Sequence, residues 1–155
     1  MLGDAPYYVW EEVKYRIVMQ DLRAHDLRLV LHVGDIFWRP CTDARYQRSL
    51  DWFNALPQPV IYTPGDNEWA DCWTQAAGEF APLERLARLR QLFYPASTSL
   101  GGGRVSVVTQ AAEGSFPEFV ENLRWTQEGL VFATAHLVGS GNASQSFPGR
   151  TPQDD

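Results

Sequence analysis

Three aspartates each follow a glycine in this chain: Gly3-Asp4, Gly34-Asp35 and Gly65-Asp66. The second pair ends the apolar run Leu29-Val30-Leu31-His32-Val33. The third ends Val60-Ile61-Tyr62-Thr63 by way of Pro64, and the first has only Met1-Leu2 before it. A Gly-Asp step after a strand is a common turn, so any one of them alone says little. Repeating strand, glycine and carboxylate in the same order says more. It can bring three carboxylates to one edge of one sheet, where open α/β sheets place their chemistry. Clustered carboxylates repel and raise each other's pKa unless a cation sits among them. The pattern therefore predicts a metal site. Asn67, Glu68 and Trp69 follow Asp66 directly on the same loop. His136 ends the apolar run from Val131 to Ala135, just before Gly139-Ser140-Gly141. That position suits a ligand, although a lone histidine there is more often structural.

The elements that must position these groups are legible from hydrophobic spacing. Val9, Val13, Ile17 and Leu22 recur at helical intervals, predicting an amphipathic helix from Val9 to Ala24 that lies on the sheet by that face. Leu29 to Val33 reads as a parallel strand covered on both sides, with His32 as a hydrogen-bonded core histidine rather than a ligand. Asp43 is placed to cap a helix running to about Leu56, with Tyr46, Leu50 and Phe53 inward. Pro57-Gln58-Pro59 leads into the central strand. Ala70 to Ala81 reads as a long loop. Leu83 to Phe93 reads as a helix with a leucine stripe, its arginines Arg85, Arg88 and Arg90 on a solvated face. After Arg104 the pattern changes to short strands: Val105 to Thr109, Asn122 to Thr126 and Leu130 to Ala135. The last two form a hairpin turning at Glu128-Gly129. Alternating helices and strands give an α/β layered domain.

Composition bounds the rest. At 155 residues with 45% hydrophobic content, the chain suits one domain or part of one. A net charge of −6 argues against a nucleic-acid or acidic-membrane partner. No apolar run is long enough to span a membrane, and no signal peptide is visible. Cys41 and Cys72 each follow a Gly-Asp turn by a few residues. They read equally as two free thiols or as a disulfide, which would suit an exported protein.

Gly34-Asp35 with Gly65-Asp66-Asn67-Glu68 resembles the second and third signatures of the calcineurin-like metallophosphoesterases. The wording is similar to a bacterial branch of that superfamily, through Gly3-Asp4-Ala5-Pro6-Tyr7 and Pro64-Gly65-Asp66-Asn67-Glu68-Trp69. Asn122, Arg124 and Trp125 match the branch as well. The likeness runs from Gly3 to about Pro152 and implies a layered metallophosphoesterase-like sheet with flanking helices, incomplete at both ends. It also implies hydrolysis of a phosphate ester by two divalent cations, Mn, Fe or Zn. Asp35 then matches the bridging carboxylate, Asp4 the carboxylate on the first metal, and Asp66 with His136 the ligands of the second. Asn67 and Glu68 stand at the catalytic positions. The chain departs from the pattern at three points. Pro6 replaces a ligating histidine, Asn67 replaces the histidine that assists the leaving group, and no histidine follows His136. A non-catalytic relative that binds a ligand or partner is the alternative expectation. The substrate, expected to be a small-molecule or other phosphate ester, and the oligomeric state are left open by these residues.

Overall fold

The computed structural model describes residues 1–137 together with Gly139, Phe147, Gly149 and Arg150. The loop expected after His136 and the small polar tail fall largely outside the described residues. The β-branched and aromatic run before Thr63 forms β2 (Pro59–Tyr62), whose Val60, Ile61 and Tyr62 are no more than 1% exposed. β1 (Val30–His32) lies parallel to it, Val30 opposite Val60 and His32 opposite Tyr62. β3 (Leu100–Gly101) pairs antiparallel on the other side of β2. Leu2 adds a single parallel bridge to His32: its N–H donates to Leu31 and its carbonyl accepts from Val33, both at 2.9 Å. The three Gly-Asp turns therefore leave neighbouring segments at the same end, in the order Asp4, Asp35, Asp66.

A second sheet is antiparallel throughout, in the order β4 (Val108–Thr109), β5 (Leu123–Gln127) and β6 (Leu130–Ala133). Glu128 and Gly129, at φ 51° and 80°, turn the β5–β6 hairpin where the sequence places it. β6 ends before His136, because the Thr134 hydroxyl takes the Leu123 N–H and the Thr134 N–H donates to the Leu123 carbonyl. The described architecture is thus α/β, built as two small sheets with helices packed beside them.

The helices form where periodicity puts them, but two faces differ from expectation. In α1 (Val9–Ala24) the stripe Val9, Val13 and Ile17 is exposed, and Glu12, Tyr15 and Met19 face inward. The reason is charge pairing with α2 (Asp43–Asn54). Glu12 is 3% exposed and accepts from Arg45 at 3.1 Å and Arg48 at 2.7 Å. A buried carboxylate holding two guanidinium groups fixes which side docks. In α3 (Pro82–Phe93) Leu86, Leu89 and Phe93 are buried as the stripe predicts. Arg85, expected in solvent, is 8% exposed. It lies over the Phe80 ring at 4.7 Å and donates to Asp43 at 2.8 Å. Arg90 is likewise drawn inward, to Glu121. Asp43 sits in the first turn of α2 behind the N-cap Thr42 and spends its carboxylate on Arg85 and Arg88 instead of capping. The main core gathers Tyr46, Phe53, Tyr62 and Phe93 between α2, α3 and the first sheet.

Cys41 and Cys72 form a disulfide across 31 residues, tying the loop after Asp35 to the loop after Asp66. That second loop is compacted by 3-10 turns at Ala70–Trp73 and Gln75–Ala77. No helix among the described residues is long and apolar enough to cross a membrane.

Candidate functional site

The glycines of the Gly-Asp turns are required by how tightly the turns nest. A Cβ on Gly34, whose φ is +89°, would fall 2.2 Å from the Gly65 nitrogen, and one on Gly65 would fall 2.0 Å from Asp35 Oδ1. Asp4 and Asp35 themselves hold φ of 60° and 54°, the left-handed region that non-glycine residues seldom occupy and aspartate tolerates best. Backbone outliers of this kind concentrate at functional sites.

The Tyr7 hydroxyl donates to Asp4 Oδ1 and lies 3.1 Å from Asp35 Oδ2, joining the first two carboxylates. Trp38 packs on the Tyr7 ring at 5.5 Å. Burial and the two carboxylates push the Tyr7 pKa far upward, so it remains a hydrogen-bond donor. Asp35 Oδ1 accepts the Asn67 N–H at 3.3 Å. Burial raises the Asp35 pKa, and the charges of Asp66 and Asp4 raise it further against those hydrogen bonds. Asp71 joins the same field: burial first, then Asp66 and Asp35, push it up. None of the ion pairs among the described residues includes Asp4, Asp35, Asp66 or Asp71. These carboxylates thus act on one another by charge, and no ion pair among the described residues balances them.

Asn67 and Glu68, expected to carry chemistry, are 3% and 0% exposed. Glu68 turns into the protein and accepts from the Tyr62 hydroxyl at 2.6 Å, the Gly65 N–H at 2.9 Å and the Asp35 N–H at 3.1 Å. It fastens the second Gly-Asp turn to the third. Burial pushes its pKa up to about 8, the Tyr62 and Gly65 donors opposing and the Asp35 charge adding. The Asn67 side-chain nitrogen is buried without a partner.

His136 approaches the Asp66 loop from the far side. Its ring meets Trp69 edge-on at 5.7 Å, and a Cβ built on Gly139 would lie 2.6 Å from Asp66 Oδ2. Its backbone N–H donates to Asn122 Oδ1 at 2.7 Å, which gives Asn122 a role the sequence left without one. Nδ1 lies 3.0 Å from Glu121 Oε1, while Nε2 is buried and has no hydrogen-bond partner among the described residues. His32, by contrast, is a core histidine packed among Phe53, Tyr62 and Tyr15, with the Ala5 backbone as a weak polar partner of its ring. Burial pushes its pKa down to about 4.

The donor set suits divalent cations: uncompensated carboxylates, and an imidazole nitrogen left bare by the partner on its other side. It is not a closed cage, since no three of His, Cys, Asp and Glu among the described residues converge as metal ligands would. Sequence reasoning missed Tyr7 as a bridge, Asp71 as a fourth acid, and the Arg90–Glu121 pair behind His136. Only Tyr7 had a signal, standing three residues after Asp4 in the opening motif. No protein-family model, no curated protein and no solved structure matches this chain.

Proposed function

We propose that the protein is a metal-dependent phosphoesterase acting at the edge where Asp4, Asp35 and Asp66 stand abreast. The observation that carries this reading is the acidic edge itself: the Gly34 and Gly65 turns nest against Asp35, Tyr7 joins Asp4 to Asp35, Asp66 acts on Asp35 by its charge, and no ion pair among the described residues offsets them. Asp4, Asp35, Asp66 and His136 would hold the cations, with Mn, Fe or Zn matching mixed oxygen and imidazole donors. Such cations supply Lewis-acid polarisation of a phosphoryl oxygen and acidify an attacking water. The chain's own part is placement. Glu68 and the glycine packing fix where Asp35 points, and the Tyr7 hydroxyl sets the spacing between Asp4 and Asp35. Asn67 can donate a hydrogen bond but has no proton to pass to a leaving group near neutral pH. The substrate class is a phosphate ester of a small molecule.

Metal content and hydrolysis of a generic chromogenic phosphodiester, measured on the wild type and on Asp35→Asn, test the reading. Loss of both in the variant supports it; hydrolysis unchanged by the substitution discards it. A second reading, a non-catalytic domain that binds a ligand or partner, is favoured by the burial of Asn67 and Glu68. Metal uptake without turnover in the wild type would select it.

A further inference from the structure

Behind His136 stand a buried carboxylate and the half-buried guanidinium that holds it. Glu121 is 0% exposed. Arg90 reaches it from α3 with two parallel bonds, Nε to Oε2 at 2.9 Å and Nη2 to Oε1 at 2.6 Å. Such a fork-to-fork pair fixes the carboxylate in orientation as well as in charge. The same Oε1 lies 3.0 Å from His136 Nδ1. A carboxylate whose oxygens already accept from a guanidinium has only acceptor capacity to offer, so Nδ1 must carry the proton. In the neutral ring the lone pair then belongs to Nε2, and that nitrogen is the one buried without a partner. The His136 side chain is 8% exposed, so water does not readily satisfy it. A buried carboxylate, fixed by a guanidinium, holds this ring by one nitrogen and leaves the other bare where the ring meets Trp69 of the Asp66 loop.

We infer that Glu121, fixed by Arg90, is a positioning residue: it sets the tautomer and orientation of His136 so that Nε2 is free to bind a cation at the Asp66 side of the acidic edge. The ligand half of this inference rests on the function proposed above; the tautomer half stands on the hydrogen bonds alone. Carboxylates behind ligating histidines act in this way at metal centres generally, and removing one typically weakens metal affinity roughly 10- to 100-fold.

Long-range nitrogen–proton spectra of histidine-labelled protein, with the His136 signals assigned by their loss in His136→Ala, read the tautomer directly. The expected wild-type ring carries its proton on Nδ1. In Glu121→Ala the acceptor of the Nδ1–H is gone, so the population shifts toward Nε2–H. A wild-type ring protonated on Nε2, or a folded Glu121→Ala protein with the wild-type tautomer, overturns the inference. Zinc titrated alone gives a second readout. Glu121→Gln should weaken it roughly 10- to 100-fold, and should add almost nothing in the His136→Ala background. Equal losses in both backgrounds would make Glu121 merely structural and overturn its positioning role. If His136→Ala leaves zinc binding unchanged while the tautomer behaves as expected, the ligand assignment of the proposed function fails and the Glu121 tautomer control survives.

Discussion

Two regions of this molecule are each organised around a glutamate with no exposed surface, and they solve the same problem differently. At the turn after β2, Glu68 is surrounded by neutral donors: a tyrosine hydroxyl and backbone N–H groups. At the entry to β5, Glu121 faces a guanidinium and an imidazole. Burial raises both carboxyls. It prevails at Glu68, whose pKa is pushed up to about 8. At Glu121 the His136 and Arg90 contacts outweigh it and the pKa is lowered. The lesson is that depth alone does not fix the charge of a buried acid. Glu68 acts chiefly as a hydrogen-bond acceptor that staples two turns, whereas Glu121 acts as a charge.

The contrast predicts unequal costs for the same substitution. Glu121→Gln leaves Arg90 with an uncompensated charge in a mostly buried setting, and should destabilise the fold by about 3–5 kcal/mol. Glu68→Gln keeps the shape and one acceptor oxygen but turns an amide nitrogen toward other donors, costing about 1–3 kcal/mol. Denaturant unfolding of the two variants side by side checks the ranking. Equal losses would mean that Glu68 is held as a charge as firmly as Glu121.

A third buried titratable group sharpens the point, because no charge acts on it. His32 lies 1% exposed in β1 among aromatic rings, and burial pushes its pKa from the usual 6.5 down to about 4. The unfolded ring takes up a proton below about pH 6.5 that the folded ring refuses. Stability from this group is therefore full above that value and lost as pH falls toward 4, by roughly 3 kcal/mol in all. His32→Phe should flatten this part of the stability–pH curve. A slope between pH 6.5 and 4 that is the same in wild type and variant would show that His32 is not its source.

How much of this was readable beforehand follows from which forces are local. The Gly-Asp turns were legible, since a glycine where two backbones touch and an aspartate at positive φ are properties of a few adjacent residues. So was the β5–β6 hairpin, which Glu128-Gly129 dictates by its own dihedrals. The side chains of Glu68 and Glu121 were not. Both stand among loop residues in sequence, and their burial comes from Tyr62, Asp35, Arg90 and His136, which the fold brings from up to 33 residues away. Arg85 was misread for the same reason: nothing in a helical period says that an arginine will find Asp43 and the Phe80 ring. The disulfide was open from spacing and followed once the two Gly-Asp turns became neighbours.

The smallest expected effect concerns α1, where the apolar stripe and the docking face part company. Hydrophobic spacing alone would bury Val13 and make its loss expensive. In the fold Val13 is 61% exposed, while Met19 is 7% exposed and packs into the main core. Met19→Ala should therefore cost about 2–5 kcal/mol, and Val13→Ala should stay within about 0.5 kcal/mol of wild type. What turns the helix is Glu12: with Arg45 and Arg48 gathered on one carboxylate, rotation by a third of a turn would strand buried charges, a larger penalty than leaving three aliphatic side chains in water. Denaturant unfolding of the two alanine variants decides between the faces. A Val13→Ala loss as large as that of Met19→Ala would mean that the stripe is buried and that charge pairing does not set the docking of α1.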